Sequence, residues 1–207
     1  MSYSRSFVVV AAMLALTSGA ANASELYDNL FSVVNGADQL QAGLADSFST
    51  GNSHFEVSYV ALRLRATNPG DGGVFKLELL SDKGKLPGKV LTTIFTIPDS
   101  ALKTSLDEYD LPFAPYVLAP HTRYWIGAVN TSDTPVSMEW AWSDDQTALG
   151  VAGEYYAPNG FDHAYPNLGG PYMLEVSGSE VPEPMTLTLF AAGLAGWRLR
   201  RRRKSGT

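Results

Sequence analysis

The chain has 207 residues, of which 45% are hydrophobic, with no cysteine and a formal net charge of −6. Lacking cysteine, it has no disulfide, thiolate chemistry or Cys-ligated zinc, so a folded body must be held by its core. Seven of the 15 Lys and Arg lie before residue 24 or after residue 180; between those limits eight bases face 20 acids, a formal charge of −12. Such a surface repels nucleic acid and anionic lipid, and it is compatible with neutral glycans, with cations, or simply with solubility.

At the N-terminus, Arg5 precedes the apolar stretch Phe7 to Leu16, and Ala21-Asn22-Ala23 places small residues at positions minus three and minus one of a cleavage site. This pattern predicts a signal peptide over residues 1–23, cut by signal peptidase between Ala23 and Ser24. The apolar stretch is too short to serve comfortably as an uncleaved anchor. Residues 24–180 remain, about 157 positions, enough for one domain with a substantial core.

Within that domain the recurring signal is period-two alternation between clusters of Gly, Pro, Asn and Asp, which predicts strands and turns. Ala45 to Phe48 and Phe55 to Tyr59 are weak strands. Val60, Leu62 and Leu64 alternate with Ala61, Arg63 and Arg65, giving one apolar and one basic face. After the turn Asn68 to Gly73, Phe75, Leu77 and Leu79 alternate with Lys76 and Glu78. The two runs read as an antiparallel pair with one wet face. Leu91 to Ile97 is a further strand, and the polar stretch Pro98 to Asp110 holds a short helical turn near Leu102 to Leu106. Tyr124 to Val129, Val136 to Trp142 and Tyr172 to Val176 complete the set. Seven to nine short strands with little helix predict an all-β fold, a two-sheet antiparallel β-sandwich of jelly-roll form.

The C-terminus reads Val181-Pro182-Glu183-Pro184, then the uncharged segment Met185 to Trp197, then Arg200-Arg201-Arg202-Arg203-Lys204. As a helix, the apolar segment spans only about 20 Å, short of a bilayer core of roughly 30 Å. Snorkelling of Arg198 and Arg200, or local thinning, makes up the difference and leaves a weak anchor. Its small residues, among them Ala191, Gly193 and Gly196, permit close approach by another membrane helix, and the basic cluster stays cytoplasmic. This order of features resembles the PEP-CTERM sorting signal over residues 181–204. Pro182, Glu183 and Pro184 match the recognition motif, Met185 to Trp197 the hydrophobic helix, and Arg200, Arg201, Arg202 and Arg203 the cytoplasmic anchor. The resemblance implies export by a Gram-negative bacterium that makes extracellular polysaccharide. It also implies recognition by exosortase, tethering to the inner membrane before processing, and delivery to the cell surface or extracellular matrix.

The middle of the chain is similar to the choice-of-anchor type R domain, on Ala45 to Gly51, Leu80-Ser81-Asp82 with Leu86-Pro87-Gly88, Leu118-Ala119-Pro120 before Tyr124-Trp125, and Glu139 to Trp142. That resemblance implies a β-rich extracellular module and no particular reaction.

Candidate binding residues are aromatic and acidic. Trp140 and Trp142 are two apart and share one face of a strand, the geometry of a platform for a sugar ring, although burial of at least one of them between the sheets is the favoured reading. Tyr155, Tyr156, Phe161, Tyr165 and Tyr172 lie in or beside a Gly- and Pro-rich loop. They would either line a glycan groove or pack the loop onto the sheet. Among acidic groups, Asp144 and Asp145 are adjacent after a strand, Asp71 sits in a Gly-rich turn, and Asp107, Glu108 and Asp110 are close together. A solvated acidic surface is the default reading; if a Ca²⁺ site exists, Asp144 and Asp145 are the pair to test, and no other cofactor is implied. His54, His121 and His163 show no metal-ligand spacing, and no nucleophile elbow or phosphate-binding loop is present. No catalytic residue is therefore assigned. The expected role is a structural or adhesive surface protein of an exopolysaccharide matrix in a biofilm. The alternatives are a carbohydrate-binding module and, behind that, a glycan hydrolase.

Overall fold

The computed structural model describes residues 23–40, 43–131, 137–145, 154–156, 161–167 and 169–181. The leader, the motif residues Pro182, Glu183 and Pro184, the apolar segment and the arginine cluster lie outside the described residues, as does Val136. Among the described residues no helix is long and apolar enough to cross a membrane.

The strands in chain order are β1 (Ala23–Asp28), β2 (Gly36–Gln39), β3 (Gly43–Ser49), β4 (Phe55–Ala66), β5 (Val74–Asp82), β6 (Pro87–Pro98), β7 (Asp107–Leu118), β8 (Arg123–Asn130), β9 (Met138–Trp142), β10 (Glu154–Tyr156), β11 (Tyr165–Asn167) and β12 (Leu174–Glu180). One sheet runs β1-β12-β4-β9-β2, with β7 along the other edge of β4; the second runs β11-β10-β3-β8-β5-β6. Every pairing is antiparallel. With the short strands β2, β9, β10 and β11 set aside, the sheets read β1-β12-β4-β7 and β3-β8-β5-β6. Successive long strands alternate between sheets except at the β5–β6 hairpin, which is jelly-roll connectivity.

This connectivity corrects the expected pairing of residues 60–65 with residues 75–79. β4 pairs with β12, β7 and β9, whereas β5 pairs with β6 and β8 in the opposite sheet. The Asn68 to Gly73 segment crosses between sheets instead of closing a hairpin. The two alternating runs face each other across the core, with Leu62, Leu64, Phe75, Leu77 and Leu79 in one buried cluster.

β4 is one strand of 12 residues, not the two short ones its sequence suggests. Val57 and Val60 are both buried with Ser58 and Tyr59 half-buried between them, and the register against β7 steps between Val57 and Tyr59. A bulge of this kind switches which parity of residues faces the core, so the alternation breaks although the strand continues. Gly178 of β12 sits opposite the bulge, where a Cβ would stand 2.1 Å from the Glu56 carbonyl oxygen.

The expected helical turn at Leu102 to Leu106 is absent; a single 3-10 turn forms earlier, at Asp99–Ala101. β7, which begins at Asp107, hid its strand character behind Pro112 and Pro115. Proline is tolerated here because β7 pairs only with β4, leaving an outer edge that needs no donor. The last strand begins at Leu174, and Tyr172 makes only an isolated bridge to Trp142.

The outer faces of both sheets are also covered in part. Ala45, Leu80, Trp125 and Phe161 form a buried cluster on one, and Leu30, Ala61, Ala141 and Met173 on the other. Ala61 is thus buried, and the basic face predicted for its strand is narrowed to Arg63 and Arg65. Each of these arginines meets an acid on a neighbouring strand, Arg63 with Glu108 at 3.5 Å and Arg65 Nε with Glu139 at 2.7 Å.

Candidate functional site

The expected aromatic platform is part of the interior. Trp140 is fully buried, donates its indole N–H to the Met173 carbonyl at 2.9 Å, and stacks on Tyr172 with ring centroids 4.8 Å apart. It offers no face to a sugar, which corrects its assignment as a glycan contact; the strand's inner face lies against the core, where large rings are most stabilised. Trp142 is half-buried, its ring lying so close over Gly36 that a Cβ there would be 2.6 Å from Cζ2. Tyr172 is fully buried as well. Its hydroxyl accepts from Asn167 Nδ2 at 2.6 Å and donates to Asp38 Oδ2 at 3.1 Å, and Asn167 Nδ2 also reaches Asp38 at 2.8 Å.

Of the loop aromatics, Tyr155 sets its ring edge-on to Trp125 at 5.3 Å, and Phe161 is buried over Gly127. Tyr165 is exposed, and the side chain of Tyr156 lies outside the described residues. Phe161 and Tyr155 pack the loop onto the outer face of the second sheet.

Asp144 is exposed and its amide donates to Asn35 Oδ1 at 3.0 Å; the Asp145 carboxylate accepts from the Ser32 hydroxyl at 2.8 Å. These bonds tie the loop after β9 to the loop between β1 and β2. Among the described residues no group of three or more His, Asp and Glu converges as metal ligands would.

Sequence reasoning missed the cleft at the open side of the sandwich, where β6 and β7, the outermost long strands of the two sheets, approach one another. It encloses about 420 Å³ between Leu91 of β6, Tyr116 and Val117 of β7, Tyr124 of β8, and the polar groups of His54, Ser81, Asp82 and Thr122. Each polar group is held by bonds outside the cleft. Asp82 Oδ1 accepts the Trp125 indole N–H at 3.0 Å, Asp82 Oδ2 accepts the Lys85 amide at 3.2 Å, and Ser81 Oγ accepts the Lys89 amide at 3.1 Å. His54 Nδ1 lies 3.2 Å from the Leu118 carbonyl, so it carries the proton and Nε2 is left to face outward. Ser81, His54 and Asp82 therefore line one space, but these bonds run to other partners and form no nucleophile–base relay. Two tyrosine side chains, Leu91, Val117 and a few fixed polar groups line the cleft.

The cleft adjoins the chain's exit from the fold. The Val181 amide donates to the His54 carbonyl at 2.8 Å, so the backbone leaves β12 directly beside the cleft wall.

A PEP-CTERM protein-sorting motif matches residues 180–203. No curated protein matches the chain. Among solved structures, the cysteine protease and lectin-like domains of Cwp84, a surface layer associated protein of Clostridium difficile, align with a TM-score of 0.50 at 11% identity, over 68% of this chain and 32% of that one. The chain thus spans about a third of the protein it is compared with, and the likeness is one of fold. The T13 IBDV viral particle aligns with a TM-score of 0.24 at 13% identity, over 80% of this chain and 38% of that one. The C-terminal segment is a PEP-CTERM sorting signal, which implies an exported protein, anchored in the membrane until exosortase processes it.

Proposed function

We propose that this is an exosortase-sorted surface protein whose jelly-roll body is a structural or adhesive component of an exopolysaccharide matrix. It acts by location and by weak multivalent contacts, without catalysis. The observation that carries this reading is the direct junction between body and signal: the matched motif starts at Glu180, the last residue of β12, with no linker between. Several features support it. β1 starts at Ala23, where the leader is expected to end, and Ser24 pairs with Gly178 two residues before the motif. The acidic, cysteine-free body suits an exterior setting in which disulfides are not needed, and the choice-of-anchor resemblance points the same way. The Cwp84 neighbour is described as surface layer associated and includes a lectin-like domain.

The test is fractionation of the native organism with intact-mass measurement. The reading expects a mature chain beginning at Ser24 and lacking Met185 to Thr207, found at the surface or in the matrix. A soluble cytoplasmic chain with both ends intact overturns it.

The cleft favours a second reading, a carbohydrate-binding module that uses Tyr116, Tyr124 and His54. Affinity electrophoresis through gels containing the host's own polysaccharide separates the two. Retardation that Tyr116→Ala abolishes without lowering the melting temperature supports the module, and unretarded migration rejects it. Release of reducing sugar in the same gels would instead point to a hydrolase.

A further inference from the structure

We propose that Asp71 and Asp99 form a Ca²⁺ site at the corner where the β4–β5 crossover meets the 3-10 turn after β6. Asp99 is 1% exposed, and no donor stands in hydrogen-bonding geometry to either of its carboxylate oxygens. A buried carboxylate without a donor or a cation is among the most costly groups a fold can hold. The group nearest in charge is another carboxylate. Burial first, and then the Asp71 side chain, raises the Asp99 pKa, against the nearby backbone amides of Ser100 and Gly73, which lower it.

The backbone brings the two acids together. Gly73 donates its amide to Asp71 Oδ1 at 3.0 Å, and its carbonyl accepts the Asp99 amide at 3.0 Å, so one residue fixes both. The Asp99 carbonyl accepts the Leu102 amide at 2.9 Å, closing the 3-10 turn beneath it. Lys103, the base nearest to Asp99 in sequence, pairs with Asp107. Two carboxylates brought together by one glycine make an oxygen donor set. That donor set selects a hard cation, with water completing the shell. A bound Ca²⁺ would pin the sheet-to-sheet crossover, replacing the staple that a cysteine-free exported domain cannot obtain from a disulfide. The site involves neither Asp144 nor Asp145, which are bonded to the β1–β2 loop.

A two-carboxylate site in an extracellular module binds with a Kd of about 10⁻⁴ to 10⁻³ M. At 5 mM CaCl₂, relative to EDTA, the full chain's melting temperature should therefore rise by about 3–6 °C. Calorimetric titration of Ca²⁺ into the wild-type chain should give one site per chain. Asp99→Asn should remove the shift while melting no lower than wild type in EDTA, because the amide carries no charge to bury. Asp71→Asn should weaken binding at least tenfold, and Asp144→Asn with Asp145→Asn should leave the full shift. An absence of heat and of any shift in the wild type overturns the proposal, and means that the two acids share a proton instead. A shift of unchanged size in Asp99→Asn also overturns it, placing the ion elsewhere.

Discussion

The ring of Trp140 lies on that of Tyr172, centroids 4.8 Å apart and planes 22° from parallel, and this pair joins β9 to the segment leading into β12. Both rings are fully buried, and each polar tip is spoken for, the indole by Met173 and the phenol by Asn167 and Asp38. Trp140→Ala removes the ring and opens a cavity between the sheets, a loss of about 3–5 kcal/mol. A denaturant titration should show the midpoint falling accordingly, with polysaccharide retention, if any, unchanged below the transition. A midpoint within error of wild type would contradict the interior placement.

Gly127 of β8 lies under Phe161. A Cβ there would stand 2.4 Å from the Phe161 ring and 2.6 Å from Leu80 Cδ1. Gly127→Ala should therefore cost about 1–3 kcal/mol through overpacking, despite the better strand propensity of alanine. Phe161→Leu in the same chain should recover part of that loss, since it frees the contact. If the double variant is no more stable than Gly127→Ala alone, the clash is not the cause.

These two sites show what was readable beforehand and what was not. The alternation of Val60, Leu62 and Leu64, and that of Phe75, Leu77 and Leu79, announced strands with one buried face, because burial on one side imposes period two. Their partners were not readable, since a jelly roll sends consecutive strands to opposite sheets, and local sequence carries no record of which edge a strand will meet. β7 was lost to its own prolines. The bulge in β4 shifted parity at Ser58 and made one strand look like two. For the site, aromatic spacing pointed to Trp140 and Trp142, yet i, i+2 spacing marks a shared face without saying whether that face is inside. The cleft had no spacing to detect, because His54, Asp82, Tyr116 and Tyr124 each come from a different strand or loop and meet only in the folded chain.

Glu175 of β12 is half-buried directly opposite Asp28 of β1. Burial raises its pKa above 4.5; a hydrogen bond with Ser177 opposes the rise, and the like charges of Asp28, Glu25 and Asp110 add to it. Glu78 is raised in the same way, chiefly by burial. A carboxyl whose pKa is higher in the folded than in the unfolded chain takes up its proton more readily when folded. Its ionised form therefore opposes folding at pH 7, and the penalty is relieved as pH falls through the raised value toward 4.5. The melting temperature should rise between pH 8 and pH 5, helped by the shrinking negative charge of the body. Glu175→Gln should raise the value at pH 8 and reduce the slope. A melting temperature that falls steadily over this range, with the same slope in the variant, would show that Glu175 is not under strain.

The Val181 amide is bonded to the His54 carbonyl, and Pro182 follows it at once in sequence. Proline has no backbone N–H, so Pro182 and Pro184 bring no donor with which a strand could continue. Replacing Pro182, Glu183 and Pro184 together by alanine keeps the apolar segment and the arginine cluster, hence the anchor, and removes only what is recognised. The expected result is a full-length chain held in the inner membrane, at least tenfold enriched there over wild type, with its mass including Met185 to Thr207. Deleting Arg200 to Lys204 instead removes the basic residues that hold the C-terminus in the cytoplasm, and should lower membrane retention without leaving the motif unread. If the alanine variant is trimmed and released as efficiently as wild type, the Pro-Glu-Pro motif is not the feature on which processing depends.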